Sequence, residues 1–202
     1  MTLSDTTTLP RITPAEYLTR EEQAAEKSEY EDGVIIPMPG GTPHHNQIML
    51  NITTLVDVAI GEQDFVVCNS ETRIRTPDAM NYYYPDLSVV AGEPLFDPGW
   101  ETATLTNPCL VVEVLSRTTA QRDQGSKFER YKTIPTLREY LLVDQYRVQA
   151  VQWVRPPQDE MWHATTYTRL DEHIALQSVP VYLPLQRIYR RVTFAQPEEP
   201  QP

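Results

Sequence analysis

The chain has 202 residues and a formal net charge of −11, and 40% of its residues are hydrophobic. That is enough for one domain with a substantial core, while no apolar run is long enough to cross a bilayer and the first residues lack the basic and apolar segments of a secretory signal, so a cytoplasmic location is expected. The acidic balance excludes broad, unspecific attraction to DNA or RNA but leaves room for a local basic cleft.

Residues 1–10, rich in threonine and without periodicity, read as a flexible leader. Residues 196–202, made of Gln, Pro and Glu, read as a disordered tail. A single domain is expected over 11–195. Thr13-Pro14-Ala15-Glu16 is a helix start with Thr13 as N-cap and Glu16 closing a capping box, and that helix should end near Ala25. Asp32-Gly33 within Ser28–Ile36 marks a hairpin. Thr42 or Pro43 opens a long helix with an apolar stripe at Ile48, Ile52, Leu55, Val56 and Ala59. Strands follow at Phe65–Asn69, Glu71–Arg75 and Tyr83–Val90, then a surface loop from Ala91 to Pro108 and a buried strand at Cys109–Leu115. Thr118 or Thr119 caps a helix to about Lys132, ended by Ile134-Pro135-Thr136. Arg138–Val143, Val148–Val154 and Trp162–Tyr167 are strands, the last two joined by a Pro-Pro turn, and Leu183–Arg191 is a short closing helix. This order gives a mixed sheet flanked by helices.

Chemistry concentrates on two acids. Glu113 lies inside Leu110-Val111-Val112-Glu113-Val114-Leu115, a run that reads as a strand buried on both faces. A carboxylate there is expensive without a cation. Asp86 lies near the start of another apolar run, and the pair could hold magnesium, which prefers hard oxygen donors and keeps several waters. The main-chain carbonyl of Val114 would be a third ligand. Lys127 is the candidate cation. Helical offsets put Gln124, Lys127 and Tyr131 on one face with Asp123 on the same stripe, and from the helix alone a solvated Asp123–Lys127 surface pair is the preferred reading.

Other residues have bland readings. Cys68 and Cys109 read as packed thiols. His44 and His45 are adjacent on a helix and point apart, so His45 at a helix start, reaching loop backbone or the site rim, is preferred to a metal pair. Tyr82, Tyr83 and Tyr84 are better explained by alternating burial in a strand than by base stacking. Arg73 and Arg75 share a strand face, either toward the site or toward solvent, with solvent preferred. Arg187, Arg190 and Arg191 suit a helix C-terminus.

In their joint order, several segments resemble a known family: Tyr84-Pro85-Asp86-Leu87-Ser88-Val89-Val90, then Leu110 through Ser116, Arg122-Asp123 through Lys127 to Tyr131, Ile134-Pro135, and Glu139 through Asp144. Ser28 through Gly33 and His45 through Ile48 share in the resemblance. The family is the one known as putative restriction endonucleases, within the PD-(D/E)XK nuclease superfamily. The resemblance implies a restriction-endonuclease-like fold of the α/β (α+β) class, a mixed β-sheet flanked by helices. It also implies a magnesium-dependent endonuclease hydrolysing phosphodiester bonds of nucleic acid, DNA foremost, with Mn2+ as a substitute for Mg2+. Asp86 and Glu113 correspond to the two acids. Leu115 stands where the superfamily lysine would be, and Lys127 on the following helix matches the displaced lysine. Glu29 matches a supporting acid. The rival expectations are a non-catalytic binding or assembly module of the same fold and a hydrolase of small phosphodiesters or nucleotides. A homodimer through a sheet edge or the strand after Val148 is a further expectation, and no membrane partner is expected.

Overall fold

The computed structural model describes residues 11–100 and 102–194. The expected leader, 1–10, and tail, 196–202, lie outside the described residues. Helix α1 spans Pro14–Glu21, with both halves of the Thr13/Glu16 capping box formed. It stops short of Ala25 because the Glu21 carboxylate turns to accept the Ser28 amide at 2.9 Å and the Ser28 hydroxyl at 2.6 Å. Strands β1 (Ser28–Glu31) and β2 (Val34–Pro37) form the hairpin. Its two central residues both have positive φ, 49° at Asp32 and 94° at Gly33, as a primed turn requires. Helix α2 (Pro43–Ile60) buries Ile48, Ile52, Val56 and Ile60. Ala59, expected in that stripe, faces solvent, and Ile60 closes the stripe four residues after Val56.

The remaining elements are β3 (Phe65–Asn69), β4 (Arg73–Arg75), β5 (Asn81–Tyr83), β6 (Leu87–Ala91), β7 (Thr104–Leu105), β8 (Leu110–Leu115), α3 (Ala120–Asp123), α4 (Ser126–Tyr131), β9 (Glu139–Asp144), β10 (Ala150–Val154), β11 (His163–Tyr167), β12 (His173–Ala175), β13 (Tyr182–Pro184) and α5 (Leu185–Ile188). They build a five-stranded sheet in the order β2-β1-β5-β4-β7, a six-stranded sheet in the order β11-β10-β9-β8-β6-β3, and a small β12-β13 pair. The six-stranded sheet is mixed: β8 and β9 run parallel while its other pairs are antiparallel. A parallel pair needs a crossover, and α3 and α4 supply it.

Three expectations change. The single strand at Tyr83–Val90 is two strands in two sheets, because Pro85 cannot donate to a ladder. Asp86 therefore sits at the joint between the sheets rather than inside a strand. The helix from Thr119 to Lys132 is likewise two short helices separated at Gly125. The closing helix shrinks to Leu185–Ile188, since Tyr182–Pro184 is spent on β13. The loop after Ala91 also carries β7, parallel to β4.

Strand β8 is buried along its whole length. Leu110, Val112 and Val114 enter a core with Ile48, Ile52 and Val56 of α2. Val111 and Leu115 enter a second core with Phe128 and Tyr131 of α4. Alternation on a strand therefore turns Glu113 to the α4 side. Cys68 and Cys109 are buried free thiols.

Candidate active site

Glu113 is met on that side by Lys127. The Lys127 Nζ lies 2.7 Å from Glu113 Oε1 and 2.8 Å from Glu29 Oε1, with Asp123 Oδ1 at 3.8 Å. Lys127 is only 3% exposed and Glu113 5%, so the solvated-pair reading of Lys127 and Asp123 is wrong. Gln124 does not share the face: the helix breaks one residue later, and Gln124 is exposed. The Tyr131 hydroxyl donates to Glu113 Oε1 at 3.4 Å from the next turn of α4.

Glu29 comes from the other sheet. It is buried on β1, accepts the Tyr84 amide at 3.1 Å and pairs through Oε2 with Arg122. Arg122 Nε also donates to Glu31 Oε2 at 3.0 Å. Asp86, at the joint, accepts the Val114 amide at 2.6 Å on Oδ2, and His45 Nε2 lies 3.2 Å from the same oxygen. The β6–β8 ladder ends at Leu87↔Val112, so the next outward-facing peptide edge of β8, that of Val114, is left to Asp86. N–H and C=O of one strand residue leave on the same edge, which puts the Val114 carbonyl on the Asp86 side too. His45 is placed by the N-cap of α2, where Thr42 Oγ1 accepts the His45 amide at 3.1 Å.

Glu29, His45, Asp86, Glu113, Arg122, Asp123 and Lys127 line a cleft of about 440 Å³. Its acids outnumber its cations: Glu29, Asp86, Glu113 and Asp123 face Lys127, Arg122 and Arg117, with Glu31 bonded to Arg122 and His45 beside Asp86. Burial pushes the Glu113 carboxyl well above the usual carboxylate range despite the Lys127 ammonium, and Asp123, Asp86 and Glu29 add to the rise. Burial also opposes the charge on Lys127, but Glu113, Glu29 and Asp123 outweigh it and hold the ammonium well above the ordinary lysine value. For Glu29, burial is overcome by Lys127 and Arg122, and its pKa is lowered. Burial raises the Asp123 carboxyl. Burial works against the His45 imidazolium, and the bond to Asp86 outweighs it and raises the pKa.

Among the described residues, no group of three or more His, Cys, Asp or Glu side chains is arranged to hold an ion. The donor set at hand is sparser: Asp86, Glu113 and the Val114 main chain. Two hard carboxylates in a cleft with excess negative charge are what magnesium takes, since it keeps much of its water.

Of the residues singled out from the sequence, Asp86, Glu113, Val114, Lys127 and Glu29 line or border this one cleft. Arg73 and Arg75 do not, and neither is the fully solvated side chain expected. Arg73 is fully buried, bonds Thr104 at 3.0 Å and lies over the Tyr17, Tyr82 and Tyr84 rings, while Arg75 pairs with Asp97. Tyr82, Tyr83 and Tyr84 are all buried rather than alternating, because the short strand is covered on both faces. Arg122, Glu31 and the His45–Asp86 contact were missed. Glu31 carried a usable signal, since it shares a strand face with Glu29. Arg122 carried none, because only the break at Gly125 brings it and Lys127 to the same acid.

Two proteins of Synechocystis sp. (strain ATCC 27184 / PCC 6803 / Kazusa) are similar to this chain. "Uncharacterized protein sll1609" is 44% identical over 156 residues, covering 76% of this chain and 86% of that one. "Uncharacterized protein slr1290" is 36% identical over 187 residues, covering 92% and 95%. The crystal structure of a "putative nuclease belonging to DUF820" from Anabaena variabilis superposes with a TM-score of 0.68 over 88% of this chain and 97% of that chain. At 19% identity, that likeness shows a common fold. The family Uma2, described as "Putative restriction endonuclease", matches residues 14–187, from the start of α1 to within α5 and across every element of the cleft. On the extent of that match, the chain belongs to the Uma2 family.

Proposed function

We propose that the chain is a magnesium-dependent endonuclease that hydrolyses phosphodiester bonds in nucleic acid, DNA foremost. One observation carries the reading: a lysine from the helix after β8 reaches both the buried Glu113 and Glu29, while Asp86 is fastened to the peptide beside Glu113. Asp86, Glu113 and the Val114 carbonyl would hold the ion. When bound, magnesium lowers the pKa of a coordinated water and neutralises charge building on the phosphoryl group.

The chain's own groups divide the remaining work. Lys127 stays an ammonium at neutral pH, so it cannot take a proton from water. It acts as a hydrogen-bond donor that orients a nucleophile or stabilises negative charge. Glu29 and Tyr131 hold Lys127 and Glu113 in register. Arg122 fixes Glu29, and His45 fixes Asp86. The test is cleavage of single- and double-stranded DNA and RNA, with nucleotides alongside, by wild type, Asp86→Asn and Glu113→Gln. Cleavage lost in both folded variants supports the assignment, and equal cleavage by all three rejects it. Activity on nucleotides alone would favour a small-phosphodiester hydrolase.

A second reading, a binding or assembly module that kept the fold, has one observation in its favour. Glu113 Oε1 is already engaged by Lys127 and Tyr131. Calorimetric titration with magnesium separates the two: binding abolished by Asp86→Asn belongs to the enzyme, and absence of binding to the module.

A further inference from the structure

We propose that Arg117 and Tyr146 form a nucleotide subsite at the mouth of the cleft, with Arg117 holding a phosphate beside the scissile one and Tyr146 stacking an unpaired base. The inference rests on the nuclease reading and adds the residues that grip the strand. Arg117 follows β8 and Tyr146 follows β9, and these are the two parallel strands of the sheet, with Leu115 opposite Asp144 at their ends. Ligands of mixed and parallel sheets collect outside such carboxyl ends.

Both residues line the same cleft as Asp86 and Glu113. The Arg117 guanidinium sits 5.1 Å from the centre of the Tyr146 ring. Of the cleft's cations, Lys127 and Arg122 are bonded by carboxylates and His45 by Asp86. Arg117 is exposed and has no carboxylate partner among the described residues, so its donors are available to an incoming anion. A cleft floor with excess negative charge, in a chain of net charge −11, gives one unneutralised guanidinium at the entrance a large share of phosphate capture.

The tyrosine is carried on a rigid turn. Asp144 Oδ1 accepts the Tyr146 amide at 2.7 Å, and Gln145 Nε2 donates to the Leu115 carbonyl at 2.9 Å while its Oε1 accepts from Thr42. Tyr146 itself is 43% exposed. A fixed, half-exposed ring beside an arginine is the arrangement on which unpaired bases stack. A paired base has no free face to offer it, so the subsite selects single-stranded or frayed substrate.

The experiment is fluorescence anisotropy of a labelled single-stranded DNA oligonucleotide, and of its duplex, in calcium, together with magnesium-supported cleavage by the same proteins. Arg117→Gln should weaken single-strand binding about ten-fold, the effect of losing one charge-assisted contact, and lower the salt dependence of binding by about one phosphate contact. Arg117→Lys should recover part of the affinity. Tyr146→Ala should weaken single-strand binding more than duplex binding, and Tyr146→Phe should not. In cleavage, the losses should fall on KM rather than kcat. If wild type binds and cleaves and the Arg117→Gln and Tyr146→Ala variants match it, the subsite is rejected and the nuclease reading stands. If wild type neither binds nor cleaves, both are rejected.

Discussion

Lys127 is the side chain on which the buried charges depend. Three carboxylates surround its ammonium, and two of them touch it. Removing one member of a buried ion cluster strands the others, at a cost of about 3–5 kcal/mol, so Lys127→Met should lower the unfolding free energy from denaturant titration by that much as well as abolish cleavage. Glu113→Gln has the opposite character. It removes a charge from a cluster already short of cations while keeping an acceptor for Lys127, so its Tm should equal or exceed that of wild type although cleavage is lost. An unfolded Glu113→Gln would contradict this charge balance. The same residue sets a pH dependence. Because its folded pKa is raised, the folded state holds that proton more tightly than the unfolded chain, and the stability it brings is lost as pH rises from the ordinary carboxylate range toward the folded value. A magnesium ion held by Glu113, as proposed, would compete with that proton. The rise in Tm on adding magnesium should therefore be larger near pH 8 than near pH 6, and should vanish in Glu113→Gln.

The break between α3 and α4 sets the direction of Lys127. A Cβ built at Gly125 would lie 2.9 Å from the Gln121 main-chain oxygen, and backbone cannot step aside as a flexible side chain would. Gly125→Ala should cost about 1–3 kcal/mol, the usual price of overpacking, and should lower kcat by moving Lys127 away from Glu113. Urea unfolding and cleavage on the same sample check both. Much of the element plan was legible because local signals were strong: the capping box at Thr13, the Asp-Gly turn, the stripe of α2 and the unbroken apolar run of β8. The two acids stood out by chemistry, as carboxylates in or beside apolar runs, whereas Lys127 stood out only through the joint resemblance to a family, since its helix by itself reads as carrying a surface pair. The illegible parts depend on distant partners. The chain between Tyr83 and Val90 reads as one strand until two sheets compete for its ends. The helix after Thr119 reads as continuous because a lone glycine in a helical pattern is a weak signal. Arg73 looked solvated because nothing local reveals a cage of tyrosines drawn from α1, β5 and the joint.

Across the whole molecule, the cleft is assembled from parts that do not share a sheet. Glu29 and Glu31 belong to the five-stranded sheet, Glu113 to the six-stranded one, and Asp86 to the Tyr84-Pro85-Asp86 link between them. The two sheets are joined at this seam by Lys127 bridging Glu29 to Glu113, by Arg122 and by the Glu29–Tyr84 bond, and beside it by one apolar cluster in which Ile74, Tyr83 and Leu105 of the five-stranded sheet pack with Val111, Leu115 and Tyr140 of the six-stranded one. Sheets that share a buried apolar cluster open as one cooperative unit. Warming should therefore silence the protein only as it melts. Residual cleavage, measured at rising temperature, should fall together with the far-ultraviolet circular dichroism signal, and a loss of cleavage several degrees ahead of it would mean that the charged seam parts while the common cluster still holds.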